Sequence, residues 1–274
     1  MSNKNMSNSN SILGMWEDEY GVLFSIDKKT LIKAKPTLEL ETYCIPDGTE
    51  IIGENAFEFC YSLKEIIIPE TVSVIGLHAF IDCHALNKVE LPKSLKVLRN
   101  GAFQECTSLS YIHIPDYSIY EIPQDAFRRC KSLKSFVIPE SVDTISEDAF
   151  SLCEGLERII LPNSLRYIKS TAFMGSKLNS IKIPAGVIDI GNHCFSCCSS
   201  LTNVYIPSRI NYLREGLFNC CHSLQQIVIE GRISIIEKDA FNRCSSLQSI
   251  VVPLQYIDYY NREFPEYKNL FSTL

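Results

Sequence analysis

The chain has 274 residues, of which 46% are hydrophobic and 21% are charged, and its formal net charge is −6 at pH 7. This composition excludes a disordered or collagen-like polypeptide, and the excess of acidic residues argues against a nucleic-acid partner, which requires clustered Lys and Arg. No apolar run approaches the roughly 18 residues of a membrane span, so we expect no membrane-spanning segment.

The first predicted elements are a leader and a hairpin. Residues 1–12 are rich in Ser and Asn and predict a disordered leader without the apolar segment of an export signal. Residues 13–43, with apolar positions around Val22 to Lys33, predict a hairpin that caps the first coil of the array that follows. The missing export signal predicts a cytoplasmic location, and a cell-surface or secreted location is the alternative if a native signal has been removed.

A repeat of about 23 residues occupies positions 44–253. Nine of the 12 prolines recur at intervals of 22 to 24 residues, apart from one vacant position at Glu230. Cysteine follows the repeated phenylalanine by three residues in eight of nine units, and leucine comes three residues later. The odd unit has lost one residue and carries Ser176. The repeated phenylalanines are Phe57, Phe80, Phe103, Phe127, Phe150, Phe173, Phe195, Phe218 and Phe241.

Each repeat predicts one short strand and one return path. In Leu86 to Leu91 polar and apolar residues alternate from position 88 onward, as in a half-buried strand, and Pro92 ends that strand. Val72, Ile75 and Phe80 form a second apolar set that fills the space behind the strand. One coil is too small to fold alone, so the coils must share one core. The repeat therefore predicts a single solenoid of about nine coils rather than two domains.

Glycine occupies the position four residues before phenylalanine in three coils, at Gly53, Gly76 and Gly191. Pro123 fills the same position in another coil, and proline fixes a negative φ. The turn therefore requires no left-handed conformation, and glycine is predicted to be optional there.

The unit Leu-x-x-Ile-x-Ile-Pro-x-x-Val-x-x-Ile-Gly-x-x-Ala-Phe-x-x-Cys resembles the BspA-like leucine-rich repeat family. The resemblance covers residues 44–253, with nine units in the same phase, and residues 20–35 look like the hairpin that opens arrays of this family. It implies a leucine-rich repeat solenoid, a right-handed curved array dominated by β-strands, that binds other proteins and commonly acts in adhesion at a cell surface.

The last segment, residues 254–274, is predicted to cap the far end of the array. It carries six aromatic residues, and Pro265 is placed to start a short helix. Exposed strand edges and apolar side chains at the end of a solenoid require such a cover. A docking segment for a partner is the alternative interpretation.

One cysteine cluster departs from the repeat. Cys197 lies one coil before Cys220, and a spacing of about 4.8 Å between coils allows a disulfide or a soft-metal site. Their neighbours Cys198 and Cys221 belong to the repeated interior position, where free cysteine acts as a small apolar side chain. The favoured interpretation is therefore structural, with no metal.

No sequence pattern indicates catalysis. His78, His84 and His113 have no partners at the spacing of a catalytic dyad or triad, and no nucleophile elbow, phosphate-binding loop or zinc-binding helix occurs. We expect a protein that is not an enzyme and needs no cofactor.

The strand residues that point away from the core form the predicted binding surface on the concave face. Aromatic and guanidinium groups are common anchors of protein interfaces, although exposed strands favour such residues by propensity alone. The function predicted is a non-enzymatic scaffold that recognises a partner protein. The alternatives are a cell-surface adhesion protein that binds host or matrix proteins, and a thiol- or metal-linked scaffold at Cys197 and Cys220. The candidate partner-binding residues are Lys88, Glu90, Tyr111, His113, Arg158, Lys182, Asn203 and Tyr205.

Overall fold

The structure is a computed structural model, and it describes residues 11–12 and 14–273. Within these residues it consists of short strands, one α-helix, α1 (Ile257–Glu263), and two 3-10 turns, Leu254–Tyr256 and Pro265–Tyr267. The strands are β1 (Ser11–Ile12), β2 (Met15–Glu17), β3 (Leu23–Ser25), β4 (Thr30–Lys33), β5 (Thr42–Cys44), β6 (Ile51–Ile52), β7 (Glu65–Ile67), β8 (Val74–Ile75), β9 (Lys88–Glu90), β10 (Val97–Leu98), β11 (Tyr111–His113), β12 (Glu121–Ile122), β13 (Ser135–Val137), β14 (Thr144–Ile145), β15 (Arg158–Ile160), β16 (Tyr167–Ile168), β17 (Ser180–Lys182), β18 (Asp189–Ile190), β19 (Asn203–Ile206), β20 (Tyr212–Leu213), β21 (Gln226–Ile229), β22 (Ile235–Ile236), β23 (Ser249–Val252) and β24 (Phe271–Thr273).

Each repeat forms one coil with two strands. The odd-numbered strands β5 to β23 have three or four residues and form the long row, and the even-numbered strands β6 to β22 have two residues and form the short row. Strands of neighbouring coils pair in parallel one repeat apart, as Lys88 does with Tyr111. Alternation decides which side chains are buried, because Val89 points into the core while Lys88 and Glu90 point out.

The array is longer than the nine coils predicted. The long row contains ten strands, and β24 pairs in parallel with β23 to give about eleven turns. The first strand, β5, lies in a unit without the phenylalanine and cysteine of the repeat, and β24 lies in the aromatic C-terminal segment. β5 carries only the strand and proline part of the repeat, which ends at Pro46, and β24 carries none of it, so counting phenylalanine units left out both end turns.

The core is a continuous column of stacked phenylalanine rings. Ring centroids are 5.1 Å apart between Phe57 and Phe80 and 6.0 Å apart between Phe218 and Phe241. In eight of the nine units the repeated cysteine lies beside this column, and Cys106 Sγ donates to the Phe80 carbonyl oxygen of the preceding coil at 3.1 Å. The repeat phase thus places both residue types in the interior, as predicted.

The N-terminal strands β1 to β4 pair antiparallel, and β4 then pairs in parallel with β6. The predicted hairpin therefore covers the first coil by extending the short row. Residues 1–10 of the predicted leader lie outside the described residues. Ser11–Ile12 form β1, so the last two residues of the segment predicted as disordered lie in a strand. The reason is that Ser11–Ile12 pair antiparallel with β2, so the backbone groups at the edge of β2 find hydrogen-bond partners.

The C-terminal segment covers the last coil with its aromatic side chains. The buried Tyr260 hydroxyl accepts from the Ile233 backbone N–H at 2.9 Å and donates to the Gly231 carbonyl at 3.0 Å. The Tyr267 ring packs edge-on against Phe241, the last ring of the column, at 5.4 Å. Because these rings pack against the last coil, the segment covers the end of the array, as predicted.

The prediction that glycine is optional before the phenylalanine was wrong at some coils. A Cβ at Gly76 would lie 2.6 Å from the Gly53 carbonyl carbon, and one at Gly191 would overlap the Ser170 backbone nitrogen. Neither glycine has a positive φ, so the left-handed conformation is not the reason. Glycine is needed where neighbouring backbones approach most closely, a constraint that depends on coil spacing.

Each of the two rows is interrupted twice. Pairing in the long row stops between β11 and β13 and between β15 and β17, whereas pairing in the short row stops between β10 and β12 and between β18 and β20. The long-row interruptions coincide with the two irregular repeats. The interval from Pro115 to Pro139 is one residue longer than most, and the unit of Ser176 is one residue shorter.

Candidate functional site

The outward side chains of the long row lie on one side of the array, here called the strand face. It comprises the first and third residues of the odd-numbered strands from β7 to β21. All but one of the candidate partner-binding residues are exposed on it, and Asn203 is half-buried. The alternation predicted their direction correctly. Alternation also predicts that Val251 is exposed, but this side chain is only 6% exposed where β24 pairs with β23. The strand face therefore ends before the last coil.

In the N-terminal part of the strand face, charged side chains contact each other and a tyrosine ring. Lys88 Nζ lies 3.4 Å from Glu90 Oε1 and 5.6 Å from the centre of the Tyr111 ring. Exposed ion pairs of this kind contribute about 1 kcal/mol or less to stability, so the side chains stay available to a partner. This part of the face therefore offers both signs of charge.

The centre of the strand face is apolar, which the list of candidates missed. Val137 and Ile160 are 61% and 60% exposed and pair directly in register across β13 and β15. We call these two residues the apolar pair. Alternation in the sequence does place both outward, but their exposure was not distinguishable from ordinary strand propensity.

Two tyrosines stand on the loop between β11 and β12. Tyr117 and Tyr120 are 72% and 69% exposed, and Tyr117 adopts a φ of 61°. The Tyr117 backbone N–H donates to Ser141 Oγ at 3.1 Å, which ties the loop to the next coil. The sequence signal for this loop is the lengthened interval from Pro115 to Pro139.

A polar cleft of about 480 Å³ lies along the short row. Its cationic side chains contact other residues of the protein. Arg214 donates to Asp189 Oδ1 at 2.8 and 3.1 Å, and Lys169 Nζ lies 4.6 Å from the centre of the Tyr167 ring. The cleft therefore presents a balanced polar surface, which no sequence motif indicated.

The cysteines fall into two groups. Burial raises the pKa of the Cys60 thiol to about 11 and that of Cys153 to about 12, so both stay protonated at neutral pH. Cys197 is exposed and Cys220 is half-buried, and both are free thiols. Among residues 14–273, no group of three or more His, Cys, Asp or Glu side chains is placed to hold a metal ion.

Native-state alkylation is expected to separate the two groups. The exposed Cys44 and Cys197 should react with iodoacetamide at least about 100-fold faster than Cys106, whose thiol is reached only by local opening. Cys220 should react at an intermediate rate. Peptide mass spectrometry after timed labelling measures each site, with urea-unfolded protein as the control. Equal labelling of Cys106 and Cys197 in folded protein would contradict the packing of the core.

Family and structure comparisons agree with the fold. The family model of the BspA-type leucine-rich repeat region matches residues 35–157 and 144–270, with six copies. No curated protein matches the chain. Within the described residues, no helix has the length and apolar character to cross a membrane.

Solved bacterial structures share the architecture. A leucine-rich repeat protein from Bacteroides ovatus is 24% identical with a TM-score of 0.59, covering 84% of this chain and 76% of that chain. A leucine-rich cell surface protein from Faecalibacterium prausnitzii is 21% identical with a TM-score of 0.53, covering 89% and 96%. The pneumococcal vaccine antigen PcpA is 24% identical with a TM-score of 0.58, covering 86% and 66%. At these identities the similarity concerns the fold.

Proposed function

The chain belongs to the BspA-type leucine-rich repeat family, and from that premise we propose that it is a non-enzymatic scaffold that recognises a partner protein through the strand face. The observation that carries the proposal is the apolar pair, which lies exposed at the centre of a surface built on paired strands. Strand pairing fixes the backbone, so the side chains are held in place before a partner arrives. Tyr111, Arg158 and Tyr205 add the aromatic and guanidinium groups that often dominate binding energy.

Substitution of these anchors is expected to remove binding. A Tyr111→Ala, Arg158→Ala, Tyr205→Ala variant should lose at least about 30-fold in affinity, because truncated anchors cost about 2 kcal/mol or more. The three side chains are exposed, so the fold should persist. Affinity capture from source-cell lysate and from extracellular matrix, followed by titration of the captured protein, measures the effect.

A matched variant controls for general surface effects. Tyr20, Tyr61 and Arg209 are also exposed but lie off the strand face, and their replacement by alanine removes the same residue types. It should retain wild-type binding. If both triple variants keep the same partner with equal affinity, the strand face is not the binding surface.

A cell-surface adhesion role is the second candidate. The observation that favours it is the shared fold with a Faecalibacterium prausnitzii protein described as a cell surface protein. Labelling of intact cells with a membrane-impermeant amine reagent distinguishes this role from a cytoplasmic one. Labelled protein from intact cells supports the cell-surface location that adhesion requires, and labelling only after lysis supports the cytoplasmic location predicted from the sequence.

A further inference from the structure

We infer that the strand face receives an acidic segment of the partner protein, in which carboxylates flank apolar side chains. This inference rests on the proposed function and adds the chemistry of the partner. It follows from the apolar pair, the charges around it and the loop beside it.

The apolar pair supplies the site for the partner's apolar side chains. Val137 and Ile160 are neighbours in register, so their exposed surfaces are contiguous rather than scattered. Contiguous exposed apolar surface marks interaction sites in soluble proteins. The short strands hold the two side chains about one strand spacing apart, which suits an extended segment that crosses the coils.

The charged outward strand residues next to the pair are positive. On the odd-numbered strands from β11 to β23, no outward position carries Asp or Glu, although the whole chain has a net charge of −6. Arg158 lies on the same strand as Ile160, and Lys182 lies on the next long strand. Within residues 14–273, neither cation has a carboxylate oxygen within 4.0 Å, including that of the adjacent Glu157.

Ion pairs between coils form elsewhere in the array, where an acid occupies the neighbouring coil. Arg129 contacts Glu105 at 2.6 Å, and Lys131 contacts Glu154 at 3.3 Å. The repeat geometry therefore brings charged side chains of successive coils together. At the centre of the strand face the outward positions carry the cations without the acids, so an acidic partner segment would supply the complementary charge.

The lengthened loop extends this surface at one edge. Tyr117 is tied to Ser141, four residues beyond Val137 in the next coil, and its side chain is the most exposed of the tyrosines. Tyrosine offers a large rigid contact with one polar end, which suits a mixed apolar and acidic segment. A polyanion such as nucleic acid or heparin fits less well, because two cations beside an apolar pair form no continuous track for successive anionic groups.

Selection from a random library of linear peptides of roughly 12 residues tests the inference on the full chain, since such peptides span several coils at about 3.3 Å per residue. We expect selected peptides to be enriched in Asp and Glu next to Leu, Ile, Val or Phe. Fluorescence anisotropy should show that Arg158→Glu with Lys182→Glu weakens their binding by about tenfold or more. Val137→Ser with Ile160→Ser should weaken it similarly, and salt should weaken it further.

The matched control has the same change in net charge at exposed sites off the strand face. Arg209→Glu with Lys238→Glu should change affinity by less than about twofold, since these residues lie outside the surface. Circular dichroism and the urea midpoint of every variant establish that each one is folded.

The remaining outcomes separate the two proposals. Peptides that lose binding with Val137→Ser and Ile160→Ser but lack acidic residues and ignore Arg158→Glu would overturn the inference while supporting the strand face. Peptides that ignore every strand-face variant would overturn both. Heparin binding that is lost with Arg158→Glu and Lys182→Glu, without any selected peptide, would identify a polyanion site and overturn the inference. Failure to select any peptide would also overturn it.

Discussion

Raising the pH from about 7 to about 10 is expected to lower the free energy of unfolding by more than any single substitution discussed here. Several cysteines of the repeat stay protonated in the folded chain, because desolvation raises the pKa to about 11 at Cys60 and Cys244 and to about 12 at Cys153. In the unfolded chain a thiol has a pKa of about 8.5. Unfolding therefore releases protons above that pH, and alkali favours the unfolded state.

The pH window follows from these values. The stability linked to the thiols is fully present below about pH 8.5 and is lost as the pH rises toward each folded-state pKa. Each protected thiol then lowers the free energy of unfolding by about 2 kcal/mol at about pH 10. Several such thiols acting together would remove most of the roughly 5–15 kcal/mol that stabilises an ordinary domain.

Urea unfolding at a series of pH values, with a reducing agent present, measures this dependence. Cys153→Ala supplies the control, because it removes one titrating thiol whose Sγ donates to the Phe127 carbonyl oxygen at 3.0 Å. The variant should be less stable at neutral pH but should lose about 2 kcal/mol less than wild type between neutral pH and about pH 10. A free energy of unfolding that is unchanged up to about pH 10 would contradict the buried, protonated thiols.

Phe150→Ala is expected to lower the free energy of unfolding by about 3–5 kcal/mol. The Phe150 ring is fully buried, stacks between Phe127 at 5.3 Å and Phe173 at 5.5 Å, and contacts the edge of Phe136 at 5.0 Å. Truncation leaves a cavity in the middle of the column. Since each coil contacts only its neighbours, the loss falls on the interfaces with both adjacent coils.

Urea unfolding followed by circular dichroism measures this loss, with Phe59→Ala as the matched control. Phe59 is outside the column and partly exposed, so its truncation should cost less than about 1 kcal/mol. Similar losses for the two variants would show that the column does not dominate the core. A second, lower urea transition for Phe150→Ala would indicate that the two halves of the array unfold separately.

The interior of the fold was predictable because the repeat fixes the phase of its apolar residues. Phe57 to Phe241 recur at one position, and a large apolar side chain repeated at one position in nine coils is predicted to be interior. The outward direction of Tyr111 and Arg158 followed from strand alternation for the same reason. These features depend on spacing along the chain, which the sequence displays directly.

The features that were not predicted depend on distances between coils or on segments without the repeat. The need for Gly76 comes from its approach to the Gly53 backbone, and the strand β24 comes from a segment with no repeat pattern. The exposure of Val137 and Ile160 depends on what covers them, which alternation does not specify. Partner binding by the strand face stays a prediction from these surfaces.

The interruptions of the two strand rows give a structural role to the turn that carries the phenylalanine. In the lengthened repeat, pairing stops between β10 and β12 in the short row and between β11 and β13 in the long row. There the turn joins the two coils, because the Phe103 backbone N–H donates to the Ala126 carbonyl oxygen at 3.0 Å and the Glu105 backbone N–H donates to the Arg128 carbonyl oxygen at 2.8 Å. The lengthened repeat therefore stays bonded to its neighbour through the turn beside the phenylalanine column rather than through its strands.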